Sequence, residues 1–172
     1  MMLSRTSQYA IQSLIYVATQ PPGEPILNRV IAERLNVPMA YLAKIMQILC
    51  KGQLLYSFRG RQGGFCLREG GEKTDLMRIL VLIEGVGFAD NCLLGLKTCS
   101  DATACPVHAN WLPIKEKIIQ LLHEQTLEKL ALAVKTGKYR IADLPMKAIA
   151  PGDEPPAACP LILPAPQMKT ES

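Results

Sequence analysis

The stretch Cys92 to His108, CLLGLKTCSDATACPVH, sets three of the chain's six cysteines and one of its two histidines within seventeen residues. Six residues separate Cys92 from Cys99, five separate Cys99 from Cys105, and two separate Cys105 from His108. Zinc modules pair their cysteines more tightly, with about two to four residues between them. No CxxC occurs in this chain, so each thiolate arrives on its own piece of loop, around something larger than one tetrahedral ion. An iron-sulfur cluster fits that description, because its irons are held by thiolates with histidine as an occasional substitute. The spacing also leaves open a reversible thiol switch, a zinc site, or cysteines without a role. Cys105, Pro106 and His108 read as a helix start, where unpaired N–H groups favour a thiolate or an anionic cluster.

The elements around this loop must position it. At 172 residues with 49% apolar side chains, the chain can fill the core of one domain with appendages. It lacks a run of about 18 apolar residues, and MMLSRTSQYA lacks the order of a signal peptide, so a cytoplasmic protein without a membrane partner is expected. Thiols stay reduced there, which favours metal binding or redox sensing over a disulfide framework. The net charge of +4 is unevenly spread. Residues 1–70 hold eight Lys/Arg against three Asp/Glu, whereas residues 71–172 hold eleven against twelve. A basic first half suggests contact with a polyanion.

Ala10, Ile11, Leu14, Ile15, Val17 and Ala18 fall at helical spacing, and Pro21-Pro22-Gly23 stops the run. Residues 26–50 give two shorter helical patterns broken at Asn36-Val37-Pro38. Ala32 allows close crossing, Asn36 tolerates a left-handed backbone, and Leu42, Ile45 and Leu49 face inward on the second helix, a helix-turn-helix spacing. Ala40, Lys44, Gln47 and Lys51 share another face, with groups able to meet base edges and phosphates in a major groove. The bland alternative is a solvated face of a plain three-helix bundle.

In LLYSFRGRQGGFCLR, alternation on either side of Gly60 to Gly64 predicts two short strands and a wing, with Arg59 and Arg61 at its tip. Thr74 is expected to cap a helix carrying Leu76, Ile79, Leu80 and Ile83 that Gly85 ends. After the cysteine loop, Trp111, Ile114, Ile118, Leu121 and Leu122 mark a long amphipathic helix with a kink at Pro113, and Thr126 caps a shorter run closed by Gly137. A long helix outside a complete DNA-binding unit buries its stripe against a partner copy, so a homodimer on a pseudo-palindromic site is expected.

The expected fold is mainly α: a winged helix-turn-helix DNA-binding domain plus a long dimerisation helix, with a two-stranded β wing. Residues 1–84 would form the DNA-binding domain and 85–110 the cysteine-rich cluster-binding loop. Residues 111–137 would form the dimerisation helix with its following short helix. Residues 138–172 hold seven of the thirteen prolines and have the composition of a disordered tail. Cys159 lies there with no cysteine near it in sequence, and Cys50 and Cys66 read as small hydrophobes.

Taken in order, YAIQSLIYVA, AYLAKIMQIL, SFRGRQGGF, the helix ending IEG and the CLLGLKTC to CPVHANW loop resemble the winged-helix transcriptional regulators of the IscR/NsrR type, the Rrf family, over about residues 2–135. The resemblance implies a homodimeric repressor or dual regulator that binds double-stranded operator DNA and senses nitric oxide, redox state or iron status through one cluster per subunit, of two-iron or four-iron type. It implies that Cys92, Cys99 and Cys105 are ligands and that Ala40, Tyr41, Lys44 and Arg59 meet DNA; Gln47 and Lys51 on the helix face and Arg61 at the wing tip join them from the residue pattern. The first cysteine gap holds six residues where familiar members have five. Some members take a fourth ligand from an acidic residue of the first helix, but this chain has Gln8 there, a poor iron ligand. His108 or an outside group remains for that role. The same cysteines acting as a cluster-free thiol switch, and an iron-sulfur redox enzyme or electron carrier, are the competing readings. Against the enzyme, the chain shows no nucleotide fingerprint or Ser/His/Asp constellation.

Overall fold

A computed structural model describes residues 3–60, 63–87, 92–96, 100–137 and 139–141. Its helices are α1 Arg5–Thr19, α2 Asn28–Leu35, α3 Met39–Lys51, α4 Leu76–Glu84, α5 His108–Glu124 and α6 Leu127–Lys135. Strands β1 (Leu55–Phe58) and β2 (Gly64–Leu67) stand between α3 and α4. Arg61, Cys99, Cys159 and the proline-rich stretch from residue 142 lie outside the described residues.

The helix-turn-helix forms as its residue types require. α2 ends at Asn36, which takes the left-handed conformation at φ 52° and ψ 47°. The Val37 N–H then reaches back to the Ala32 carbonyl at 2.9 Å and the Asn36 N–H to that of Glu33 at 3.3 Å. That pair of bonds closes a Schellman turn, sealed by the buried Val37 side chain. Leu42, Ile45 and Leu49 of α3 are fully buried as their spacing predicts, and Met46 joins them. They meet Ala10, Leu14 and Val17 of α1, Ile31 and Leu35 of α2, and Leu127 and Val134 of α6 in one core.

The wing pairs antiparallel, from Leu55 opposite Leu67 to Phe58 opposite Gly64. A third segment joins it: Ile26 and Phe65 exchange both backbone hydrogen bonds at 2.9 Å, a pairing that the sequence pattern did not predict. Gly64 makes this possible. Its φ is +141°, and a Cβ there would meet the Ile26 carbonyl oxygen at 2.3 Å.

Asp75, not Thr74, caps α4. Thr74 is buried, with its carbonyl accepting the Leu127 N–H, while the Asp75 carboxylate accepts the Arg78 N–H at 2.7 Å. The expected start of α5 also moves. Pro106 and Val107 form a turn and the helix begins at His108, continuing through Pro113 to Glu124. Thr126 caps α6 and Gly137, at φ +72°, follows its end. A smaller core of Met77, Leu80 and Leu122, with Ile118 and Ile119 beside it, joins α4 to α5. Among the described residues no helix is long and apolar enough to cross a membrane.

Candidate nucleic-acid interface and cysteine loop

Burial of the Leu42, Ile45, Met46 and Leu49 stripe fixes the rotation of α3 about its axis. Ala40, Tyr41, Lys44, Gln47 and Lys51 are consequently exposed together on its outer side. Asn28 steadies the near end of α3 by donating its side-chain N–H to the Met39 carbonyl at 3.0 Å. Tyr41 is held rather than free: its hydroxyl lies 2.6 Å from Thr6 Oγ1, and its ring meets that of Tyr9 edge-on, centroids 6.0 Å apart. Thr6 and Tyr9 have no periodic relation to α3, and no sequence signal pointed to them.

At the wing, the Gly63 N–H donates to the Gly60 carbonyl at 3.0 Å and closes the tip. Arg59 stands exposed at the end of β1, and its expected companion Arg61 lies outside the described residues. Tyr56 and Phe58 face outward on the same side of the strand, with the Arg68 guanidinium 4.3 Å over the Tyr56 ring. Together α3 and the wing present cationic, amide and aromatic groups on projecting elements, the chemistry that phosphate and base-edge contacts need.

The two cysteines beneath this surface stand apart from the loop. Burial pushes the thiols of both Cys50 and Cys66 up, opposed at Cys50 by the Arg68 cation, and an un-ionised thiol neither binds metal nor attacks well.

In the loop, Cys92 is buried and Cys105 half-buried. His108 is buried as the first residue of α5, and its N–H donates to the Cys105 carbonyl at 2.9 Å. Its Nε2 lies 3.0 Å from Asp101 Oδ1, a carboxylate contact of the kind that orients metal-ligating histidines. Asp101 was missed at the level of sequence, although an acid within a Cys/His loop is a signal that could have found it. One turn along α5, the Trp111 Nε1–H is buried with no acceptor among the described residues. The donor set of thiol and imidazole, with a buried N–H to spare, suits an iron-sulfur group chemically. Among the described residues no three such ligands stand together as a metal site, and Cys99 lies outside them.

Comparison with known proteins places the chain. It is 27% identical over 130 residues to the HTH-type transcriptional regulator IscR of Xenorhabdus nematophila, covering 76% of this chain and 79% of that protein. The solved structure of T. potens IscR is 25% identical with a TM-score of 0.61, covering 81% of this chain and 93% of that one. The global cysteine regulator CymR of B. subtilis shares the fold at a TM-score of 0.65 and 23% identity, over 77% of this chain and 98% of its own. Such relatives are transcriptional regulators, which sets aside the reading as an iron-sulfur enzyme or electron carrier. A family model described as an iron-dependent transcriptional regulator matches residues 3–133, and the chain therefore belongs to the Rrf2 family.

Proposed function

We propose that this regulator binds a pseudo-palindromic operator as a homodimer and reports the state of an iron-sulfur cluster held by the loop. The face of α3 formed by Ala40, Tyr41, Lys44, Gln47 and Lys51 enters the major groove, and Arg59 and Arg61 of the wing meet the adjacent groove or its phosphates. Cys92, Cys99 and Cys105 are the ligands, with His108 the candidate for the fourth. When bound, the cluster supplies a centre that nitric oxide, oxygen or iron shortage alters. The chain's own part is to hold the thiolates at the start of α5 and to transmit a change there to α3. The observation that carries the reading is the joint exposure of the five α3 residues beside the wing. Ile114 and Leu121, seven residues apart on α5 and both about half exposed, supply an apolar stripe for the partner copy.

Anaerobic purification, followed by the visible spectrum and counts of iron and acid-labile sulfide per chain, tests the cofactor. A genomic operator selection with sedimentation of the complex tests the DNA and dimer claims. The expected result is brown protein with both elements, bound as a dimer to a pseudo-palindrome. Colourless protein after attempted reconstitution, with a defined disulfide among Cys92, Cys99 and Cys105, transfers the reading to the thiol switch.

A further inference from the structure

Glu84 is the last residue of α4, which ends at Gly85 with φ +96°. The carboxylate folds back onto the N-terminus of α1. Its Oε1 accepts the Ser7 hydroxyl at 2.5 Å and the Ser4 N–H at 3.3 Å. Ser4 is also the cap of α1, its hydroxyl oxygen accepting the Ser7 N–H at 3.1 Å, and Ser7 is fully buried. An anion here sits at the positive end of the α1 dipole, on the Ser4 N–H at the helix start and the Ser7 hydroxyl. Hydrogen bonds from Ser4 and then Ser7 hold the Glu84 carboxyl below its ordinary range, in keeping with that placement.

Between Ser4 and Ser7 stands Thr6, whose Oγ1 lies 2.6 Å from the Tyr41 hydroxyl. Tyr9, one turn further along α1, supports the same ring edge-on. A single helical turn thus touches the root of the cysteine loop through Glu84 and the DNA-facing side of α3 through Tyr41. Glu84 is the residue of the DNA-binding unit nearest to Cys92 along the chain, eight positions before it.

We propose that the first turn of α1 is the coupling element between loop and operator: Glu84 positions the turn, and Thr6 positions the Tyr41 hydroxyl. This rests on the function proposed above. When Glu84 is drawn off, Ser4 and Ser7 lose their acceptor, the turn frays, and the Tyr41 hydroxyl loses its fixed direction. The ordering cost of Tyr41 then falls on DNA binding.

The test uses the full chain and its selected operator, in the reconstituted form and in the reduced form stripped of iron. Thr6→Val is expected to weaken binding by roughly three- to tenfold, the range of one neutral hydrogen bond, and Thr6→Ser to restore it. Tyr41→Phe should lose as much, and the double variant Thr6→Val/Tyr41→Phe no more than Tyr41→Phe alone. Losses that multiply overturn the Thr6 assignment. Urea unfolding of wild type, Thr6→Val, Tyr41→Phe and the double variant reads the Thr6–Tyr41 coupling without DNA, so this part is decided even if no operator is found.

For the loop side, Glu84→Ala should shrink the affinity difference between reconstituted and stripped protein to within about twofold, whereas Glu84→Gln, which keeps an acceptor, should retain most of it. A difference of wild-type size in Glu84→Ala overturns the coupling through Glu84. A wild-type protein indifferent to reconstitution overturns both that coupling and the proposed sensing, while the Thr6 and Tyr41 cycle still judges the other half.

Discussion

Asp75 and His123 meet at 3.0 Å, Oδ2 to Nδ1, where α5 ends and α4 begins. The other oxygen of the same carboxylate caps α4 through the Arg78 N–H. Backbone hydrogen bonds flank the contact: the Leu76 N–H donates to the Gln125 carbonyl at 3.0 Å and the Leu127 N–H to that of Thr74 at 2.9 Å. Asp75 therefore joins the long helix to the winged unit while starting the helix that leads to the cysteine loop. Asp75→Ala is expected to lower stability by about 1–2 kcal/mol in urea unfolding, mostly from the lost cap. His123→Ala should cost no more than about 1 kcal/mol, because the imidazole is largely exposed. A larger loss in His123→Ala than in Asp75→Ala would show that the contact, not the cap, dominates.

The Ile26 bridge to the wing depends on Gly64. Gly64→Ala combines an unfavourable φ with a backbone clash, so it should destabilise by about 1–3 kcal/mol and loosen the wing. Amide exchange at Ile26 and Phe65 reads this directly: both should lose protection in the variant. Gly60→Ala, at φ +101° but with open space around its Cβ, should cost less.

Glu84 gives the stability a defined acid limb. Its folded carboxyl ionises below the ordinary value of 4.5, so its contribution is complete above that value and is lost as pH falls through the lower folded one. Urea midpoints of wild type and Glu84→Gln should therefore differ near neutrality and converge in acid. A gap between them that stays constant with pH would assign the difference to something other than the charge.

On the DNA side, Lys44→Ala should reduce the slope of log K against log salt by about 0.9 if Lys44 neutralises one phosphate. Arg59→Ala should cost about 1–3 kcal/mol and relax sequence preference if the guanidinium reads a base edge, and only flatten the salt slope if it meets phosphate. Binding unchanged in Arg59→Ala would remove the wing from the interface.

Thiol labelling separates the two sets of cysteines. With the Cys50 and Cys66 thiols pushed up by burial, iodoacetamide should modify them more slowly than Cys105 in reduced, iron-free protein at neutral pH. Peptide mass spectrometry over time gives the order, and rapid labelling of Cys66 would contradict its packing on β2.

The amino-acid sequence by itself determined the helices, the bend at Asn36, the inward stripe of α3, the wing and the chemistry available in the cysteine loop. Each of these depends on contacts within a few residues, or on a repeat of 3.6 or 2, and such patterns are visible along one chain. Tertiary structure decided the rest. It paired Ile26 with Phe65, chose Asp75 over Thr74 as the cap, and set Thr6 against Tyr41 and Ser7 against Glu84, residues 35 and 77 apart in the chain. A side-chain hydrogen bond between distant segments leaves no period in the sequence. Only the packing of the helices on their shared core brings such partners within reach.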